Sequence, residues 1–292
     1  METASQIDRI SFSQRQRLTF IESVAYWEGA VDRTRVSQTF QVSENHVTKD
    51  FRLYKEVFPG NLQYDESYRI YRPSKRFKPY IGKGSAEEYL SLLRMHAERS
   101  NAATLPLPTG VVPADAIPQP KGHLKPEILN SITRAISSGN GLAITYQSMN
   151  SDEPRARKIW PHALVFGGTR WHARAYDEER GDYVDLVLQR VLSAKPLTKK
   201  ILPADQQDKE WETTVTIEVI PKKTLTTTQA EVVAQEFGMT RRNDQWVWEV
   251  RMRECLAGYF IYLYRLEVRE DTKRRIELKD PAIAKKYLSA TL

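Results

Sequence analysis

The sequence predicts a multidomain protein of the α+β class, and three observations support this. The chain has 292 residues, enough for two ordinary domains or three small ones. Six prolines from Ala102 to Pro126 separate the chain into parts. Helical periodicity and one short hairpin precede this break, whereas strand patterns with antiparallel turn signals follow it.

The composition favours a folded, basic protein. Apolar residues make up 40% of the chain and charged residues 28%, which is enough to bury ordinary cores. Lysine and arginine number 44 against 37 acidic residues, giving a formal net charge of +7. An excess of this sign favours a polyanionic partner such as nucleic acid.

The usual sequence signatures of metals, cofactors and membranes are missing. Cys255 is the one cysteine, and no CxxC, HExxH or clustered Cys/His set occurs, so we expect neither a disulfide nor a metal site. GxGxxG, GxxxxGK(S/T) and GxSxG are absent, and we expect no cofactor and no catalytic residue. The polar N-terminus and the lack of an apolar run of about 20 residues predict a cytoplasmic protein with no membrane partner.

The first predicted domain, residues 1–102, contains three helices, a hairpin and a fourth helix. Ser13 and Ser43 are candidate N-caps of the first and third helices, and Pro59-Gly60 ends the third. The predicted helices cover residues 14–30, 33–40, 44–57 and 86–99, and the hairpin strands cover residues 62–65 and 68–71.

The second and third helices resemble a helix-turn-helix. Apolar side chains face inward from both, and Gln41 lies in the turn, where glycine often supplies a left-handed backbone. At about 100° per residue, polar residues of the third helix point away from the apolar stripe. These are Asn45, Lys49 and Arg52, with His46 at the edge. An amide and two cations on the free face of a capped helix suit reading of the DNA major groove.

The hairpin adds a second feature typical of nucleic-acid binding. Between Tyr68 and Ser85 the chain has no acidic residue and interleaves aromatic side chains with cations. The cations are Arg69, Arg72, Lys75, Arg76, Lys78 and Lys83. Such a hairpin can form a wing that contacts phosphates. An amphipathic helix pair with a solvated polar side is the alternative for the helices alone. The two features together predict a winged helix-turn-helix that binds double-stranded DNA.

After a predicted Pro-rich linker at residues 103–126, residues 127–205 are predicted to form a small antiparallel sheet or barrel. The predicted strands cover residues 142–148, 158–166, 170–176 and 183–191. On the third strand, Trp171, Ala173 and Ala175 share one face, apolar enough for the core, and the other face carries Arg170, His172, Arg174 and Tyr176. This polar row has two possible explanations: it has a functional role, or it belongs to a basic edge strand that avoids aggregation.

Three segments of this block resemble a known family. They are Pro161-His162-Ala163-Leu164, Gly168-Thr169-Arg170-Trp171-His172-Ala173-Arg174-Ala175-Tyr176 and Leu188-Gln189-Arg190-Val191. They are similar to the WYL-domain transcriptional regulators, particularly those beside bacterial phage-defence gene clusters of the BREX and CBASS types. The eponymous Trp-Tyr-Leu reads Trp171-His172-Ala173 here. The resemblance extends to the hairpin and to the C-terminal block, and so spans nearly the whole chain.

The resemblance implies an Sm-like barrel in the middle domain and a nucleotide or single-stranded nucleic-acid ligand that alters DNA binding. The ligand contacts that it implies are Tyr146, Ser148, His162, Arg170, Trp171, His172, Arg174 and Arg190. Guanidinium, hydroxyl and aromatic groups suit a phosphorylated ligand. A strict two-residue turn at Gly167-Gly168 places His162 away from His172, whereas a bulge or a longer loop brings the two to one face.

The last block, residues 209–292, is predicted to be a βαβα domain. Residues 215–219 and 245–252 alternate as strands, and residues 226–237 and 254–266 are predicted helices. The second helix is apolar around most of its circumference, with Leu256, Tyr259, Phe260, Tyr262, Leu263, Tyr264 and Leu266. Such a helix needs partners on more than one side, either in a homodimer or within its own subunit. The family resemblance implies a WCX-like dimerisation domain.

Taken together, these features predict a homodimeric DNA-binding repressor of a phage-defence operon. A twofold dimer presents two identical reading helices, so we expect an inverted-repeat operator. The alternative from another class is a nucleic-acid-processing enzyme that uses His162 or His172 as general acid or base. No carboxylate cluster for Mg²⁺ accompanies these histidines in the sequence, which disfavours the enzyme.

Overall fold

The structure is a computed structural model that describes residues 10–82, 84–98, 112–120, 122–197, 207–268 and 273–288. The chain forms two compact units, residues 1–119 and 120–292. Lys83, Arg99, residues 103–111 of the predicted linker and residues 198–205 of the predicted middle domain lie outside the described residues. Among the described helices, none combines the length and the apolar character that a membrane crossing requires.

Three helices form the core of the first unit: α1 (Phe12–Glu28), α2 (Arg33–Phe40) and α3 (Glu44–Val57). Ser11, Asp32 and Ser43 cap them by accepting a backbone N–H from the residue three positions on. The predicted cap at Ser43 is confirmed. The predicted cap at Ser13 is wrong, because the first helix starts two residues earlier and ends at the left-handed Gly29.

The turn between α2 and α3 has the left-handed backbone that this motif requires. Gln41 adopts it with φ of 52°, at a cost of about 1 kcal/mol for a residue other than glycine. The Ser37 hydroxyl donates to the Val42 carbonyl at 2.5 Å and closes the turn. Glycine would adopt the left-handed conformation of Gln41 without strain, whereas here the Ser37–Val42 hydrogen bond spans the turn.

The hairpin consists of β1 (Leu62–Asp65) and β2 (Ile70–Pro73). The second strand starts two residues later than predicted, because four residues rather than two form the turn. Tyr71 pairs with Val31, which joins the hairpin to the segment between α1 and α2. A fourth helix, α4 (Ala86–Glu98), follows, and its Tyr89 stacks on Trp27 of α1 at 5.0 Å.

A buried carboxylate connects α1 with the end of the wing. Glu22 is 1% exposed, and the Tyr54 hydroxyl of α3 donates to it at 2.8 Å. The backbone N–H groups of Tyr80, Ile81 and Gly82 donate to the same carboxylate at 2.8 to 2.9 Å. Burial, followed by the Glu22 charge, raises the pKa of the Tyr54 hydroxyl, which keeps it protonated as a donor.

Asn61 extends this network into the base of the wing. Its side-chain amide donates to the Tyr54 hydroxyl at 2.7 Å and to the Lys78 carbonyl at 3.0 Å. Its side-chain carbonyl accepts the Lys78 N–H at 2.9 Å. The wing is therefore attached to α3 by directional bonds as well as by apolar packing.

The first sheet of the second unit is antiparallel with strand order β6-β5-β4-β3-β7. Its elements are α5 (Pro126–Ser138), β3 (Leu142–Tyr146), β4 (Arg155–Phe166), β5 (Trp171–Asp177), β6 (Asp182–Val187) and β7 (Val191–Pro196). Pro126 is the first residue of α5, not linker, because proline suits the first helical turn. The predicted strand 183–191 is wrong: a 3₁₀ turn at Leu188–Arg190 separates β6 from β7. A helix followed by five antiparallel strands agrees with the implied Sm-like barrel.

The second sheet has strand order β11-β8-β10-β9. Its elements are α6 (Lys209–Glu212), β8 (Thr214–Pro221), α7 (Thr227–Glu236), β9 (Thr240–Arg242), β10 (Gln245–Arg253), α8 (Ala257–Leu263), β11 (Ile276–Leu278) and α9 (Ala282–Leu288). The predicted βαβα order corresponds to β8, α7, β10 and α8. Strands β9 and β11 were not predicted, because three residues are too few for a clear alternation. The predicted helix 254–266 is wrong in length, since α8 has seven residues.

Replacing Glu22 with glutamine should loosen the base of the wing. The amide nitrogen of glutamine cannot accept, so a buried donor loses its partner at a cost of about 1–3 kcal/mol. We expect faster hydrogen–deuterium exchange in the peptide that contains residues 80–82, measured by mass spectrometry. E56Q, which changes an exposed glutamate of α3, is the matched control. Equal exchange in E22Q and wild type would contradict the role given to Glu22.

Candidate nucleic-acid interface and ligand site

The free face of α3 carries the predicted reading residues. Asn45, Lys49 and Arg52 are exposed, whereas Val47 and Phe51 on the opposite side are fully buried. The helix starts at the Ser43 cap, and Asn45 and Lys49 lie in its first two turns on the exposed side. The structure brings these three side chains to one open face, and their contact with DNA stays a prediction.

His46, at the edge of this face, contacts a buried ion pair. Arg17 of α1 donates to Asp50 of α3 at 2.6 and 3.2 Å, and Gln14 donates to the same carboxylate at 2.9 Å. A guanidinium nitrogen of Arg17 also lies 2.9 Å from Nε2 of His46. The sequence analysis did not identify this pair. The sequence feature that could have indicated this ion pair is Asp50, a charged residue directly before Phe51 on the buried side of the helix.

The wing presents its predicted cations to solvent. The exposed side chains are Arg69, Arg72, Lys75, Arg76 and Lys78. Arg72 pairs with Asp65 across the hairpin at 3.0 Å, which orders that side chain. Tyr71 of β2 stacks on Phe51 of α3 with ring centroids 3.9 Å apart. The wing and α3 therefore pack together into one continuous surface.

An open groove of about 990 Å³ lies at the base of the wing. Lys75, Arg76 and Lys78 line it together with Tyr80, whose ring stacks on Phe58 at 4.7 Å. No acidic side chain lines the groove among the residues that the structure describes. The arrangement suits a polyanion that passes along the wing.

In the middle sheet, β5 lies between β4 and β6. The alternative of a basic edge strand is therefore wrong. Ala173 and Ala175 are buried in the core as predicted, whereas Trp171 is 48% exposed and lies beyond it, so its predicted place in the core is wrong. His172 and Arg174 lie on the opposite face and are also buried, with 2% and 4% exposure.

A bulge in β4 decides the position of His162. Pro161 pairs with Ala175 and Ala163 pairs with Arg174, so His162 has no partner in the register. The β4–β5 turn is also longer than two residues, with the Gly167 N–H donating to the Arg170 carbonyl at 3.0 Å. Both possibilities are therefore observed, and the bulge is the one that changes the face of His162, because a four-residue turn keeps the alternation of a two-residue turn.

The bulge and strand β5 bring His162 and Arg174 to one carboxylate. Arg174 donates to both oxygens of Asp208 at 2.7 and 2.8 Å, and Nε2 of His162 lies 2.9 Å from Asp208. Arg174 also donates to Glu210 at 2.8 Å and pairs with Asp185 at 3.5 Å. Although burial opposes it, Arg174 holds the pKa of Asp208 below its usual range. These carboxylates already take the guanidinium donors of Arg174.

A second group of predicted ligand residues lies around His172. Burial, then the charges of Arg170 and Arg190, lower the pKa of His172 from 6.5 to about 4. Its Nδ1 is buried and has no hydrogen-bond partner among the described residues. Arg170 is exposed and Arg190 is half-buried. The two cations therefore lie near a neutral imidazole.

Ser148 and Tyr146, the other two predicted ligand contacts, differ in their exposure to solvent. Ser148 is half-buried, and the neighbouring Gln147 N–H donates to the Arg190 carbonyl at 3.0 Å, which places Ser148 beside the second group. Tyr146 is 6% exposed, and its hydroxyl accepts the Val187 N–H at 3.2 Å. Apart from the buried Tyr146 and the exposed Trp171, the predicted set thus divides into two groups: His162 with Arg174, and Arg170 with His172, Arg190 and Ser148.

Comparisons with known proteins cover all three predicted domains. Residues 13–95 match the BrxR transcriptional regulator winged helix-turn-helix domain, residues 127–196 the WYL domain, and residues 214–283 the BrxR transcriptional regulator C-terminal dimerization domain. A protein of Stenotrophomonas maltophilia named DNA-binding transcriptional repressor CapW is 31% identical over 276 residues, or 90% of this chain and 87% of that protein. The chain belongs to the BrxR and CapW family of WYL-domain transcriptional regulators.

Two further relatives are also named DNA-binding transcriptional repressor CapW, and they support the family assignment. One from Escherichia coli (strain KTE188) is 30% identical over 255 residues, covering 87% of this chain and 84% of that protein. One from Pseudomonas aeruginosa is 30% identical over 288 residues, covering 92% of each chain. The predicted winged helix, WYL domain and C-terminal dimerisation domain are confirmed.

Helix α8 of the WYL-domain regulator has both intramolecular and exposed surface. Phe260 and Tyr264 pack on Trp248, with ring centroids 5.5 and 5.4 Å away. Tyr259 lies 5.1 Å from the His172 ring and donates to Asp185 at 3.1 Å. Tyr262 and Leu263 are 71% and 50% exposed. Within the described ranges, no group of three or more His, Cys, Asp or Glu side chains is arranged to hold a metal ion.

The WYL-domain regulator should lose stability as the pH falls from 6.5 to 4. The folded protein holds His172 neutral in that interval, whereas the unfolded chain binds a proton, so the His172 contribution is complete above pH 6.5 and lost toward pH 4. The whole interval corresponds to at most about 3 kcal/mol.

The measurement is urea unfolding at pH 7 and pH 5, in wild type and in H172Q. We expect a smaller pH effect in H172Q. H123Q, which changes an exposed histidine, is the control and should behave as wild type. A pH effect of equal size in H172Q would show that other groups titrate.

Proposed function

We propose that this regulator is a cytoplasmic homodimeric repressor of a phage-defence operon that leaves its operator when a phosphorylated ligand binds the WYL domain. The observation that carries the proposal is the joint surface of α3 and the wing, where a reading face and a cationic hairpin are held together by Phe51–Tyr71 stacking. The names of the relatives agree with it. No catalysis is proposed.

The two parts of the surface have different tasks in this proposal. Asn45, Lys49 and Arg52 enter the major groove, where an amide pairs with adenine and cations pair with guanine or phosphate. Lys75, Arg76 and the other wing cations contact the backbone, which fixes the register without reading the sequence. In a twofold dimer the surface occurs twice, so the operator is an inverted repeat.

The proposed ligand site is the group around His172. Arg170 and Arg190 supply guanidinium groups for phosphate, and the Ser148 hydroxyl supplies a further polar contact. The ligand is a nucleotide or a short single-stranded nucleic acid. His162 and Arg174 hold Asp208 instead, since their polar atoms already contact that carboxylate. A ligand that favours the DNA-free state releases the operator, because it shifts the equilibrium by its differential affinity.

Substitutions on α3 and on the wing should affect operator binding differently. N45A should cost about 1–3 kcal/mol and relax the preference at one base. K75A should weaken all DNA sequences alike and reduce the salt slope by about 1. Fluorescence anisotropy with operator and scrambled duplexes at several salt concentrations measures both effects.

The matched control is K195A, an exposed lysine on β7 in the second unit, which should change neither quantity. If N45A combined with K49A keeps wild-type operator affinity, α3 is not the reading helix.

The ligand site makes a separate prediction. R170A and R190A should abolish induction of an in-cell reporter during phage infection, while purified variants keep operator affinity, because both residues lie outside the DNA-binding unit. R155A, an exposed arginine of β4, serves as the control. Normal induction in both variants would remove this site from the mechanism. Lost operator binding without infection would instead assign them to DNA contact or fold stability.

A further inference from the structure

A patch of exposed apolar side chains crosses from the WYL sheet to α8. Phe166 and Trp171, at the two ends of the β4–β5 turn, are 45% and 48% exposed, with ring centroids 5.2 Å apart. Tyr262 and Leu263 of α8 are 71% and 50% exposed. We call these four residues the turn–helix patch. Clusters of this kind commonly mark a surface that a partner covers.

Two glycines allow the β4–β5 turn to approach α8 closely. A Cβ atom on Gly168 would lie 3.0 and 3.1 Å from the terminal carbons of Leu263, and one on Gly167 would lie 2.9 Å from the Tyr259 ring. Gly168 also has φ of 92°, which side chains rarely tolerate. Because the turn meets α8 without any intervening side chain, a partner that covers Leu263 also meets the turn.

We infer that the turn–helix patch is one interface for a second copy of this chain, so that the WYL domain takes part in the dimer contact together with the C-terminal domain. The inference rests on the proposed homodimer and adds Phe166 and Trp171 to its interface. Tyr262 and Leu263 lie within residues 214–283, which match a C-terminal dimerization domain. The patch is therefore continuous with a region assigned to self-association.

The chemistry of the patch also favours a second copy. Three aromatic rings and one leucine form an apolar surface that can pack against an identical apolar surface. A twofold contact can place the patch of one protomer against the same patch of its partner. The other occupant to test is a nucleic-acid base, which would stack on Trp171 beside the exposed Arg170. Leu263 offers no ring for stacking and lies on α8, so the whole patch fits a protein partner better than a base.

The test compares two variants of the full chain, one for each half of the patch. F166A/W171A removes the turn half and L263A removes the helix half. L192A, an equally apolar residue of β7 that is 46% exposed and two strands from β4, is the control. Sedimentation velocity over a dilution series gives the dimer dissociation constant. We expect an increase of at least about tenfold for both patch variants and no change for L192A.

The outcomes separate this inference from the proposed homodimer. If L263A weakens the dimer and F166A/W171A does not, the WYL turn is outside the interface, while the homodimer stands. If wild type is monomeric at every concentration, both fail. If F166A/W171A keeps the dimer but loses binding of a fluorescein-labelled oligothymidylate, the turn is a base-stacking platform and the inference is overturned. A cooperative melting transition shows that each variant folds, whereas a weaker dimer lowers the melting temperature at equal concentration.

Discussion

The Arg174–Asp208 ion pair determines how the WYL sheet meets the C-terminal domain. Asp208 caps α6 through the Trp211 N–H at 3.1 Å, and the Trp211 ring packs under Arg253 of β10, 4.1 Å from its guanidinium carbon. A buried pair of this kind is favourable only when its remaining donors and acceptors are satisfied. His162 and Glu210 complete it. The face of β5 that opposes the apolar core is therefore an internal joint, not a surface that is open along its whole length.

The DNA-binding unit uses a comparable device. Glu22 accepts from four donors on α3 and after the wing, as Asp208 accepts from β5, the β4 bulge and α6. In each case one carboxylate joins elements that are distant in sequence. Because hydrogen bonds to a charge are directional and strong, they position these elements more sharply than apolar contacts alone. The helices of the first unit and the WYL sheet are thus both positioned by buried charge.

Local features of the fold were predictable from the sequence, and long-range polar contacts were not. The Ser43 cap and the stripe of α3 depend on residues within two helical turns, so periodicity showed them. The partner of Arg174 lies 34 positions away, at Asp208, in a stretch with no strong pattern. The position of Trp171 was also missed, because alternation shows which residues share a face but not where the core below that face ends.

The bulge at His162 has a consequence for how β4 can evolve. Ile159 and Leu164 both pack on the core of the WYL sheet, although an odd number of positions separates them, and one unpaired residue between them makes this possible. Deleting His162 would close the bulge and leave Leu164 opposite Ala173 on the core face, so the sheet would be kept while the contact with Asp208 would be lost. A one-residue deletion or insertion elsewhere in the strand would instead turn every following side chain to the other face. Homologues without the contact to Asp208 can therefore shorten β4 by this one residue, whereas other changes of length should fall in the loops.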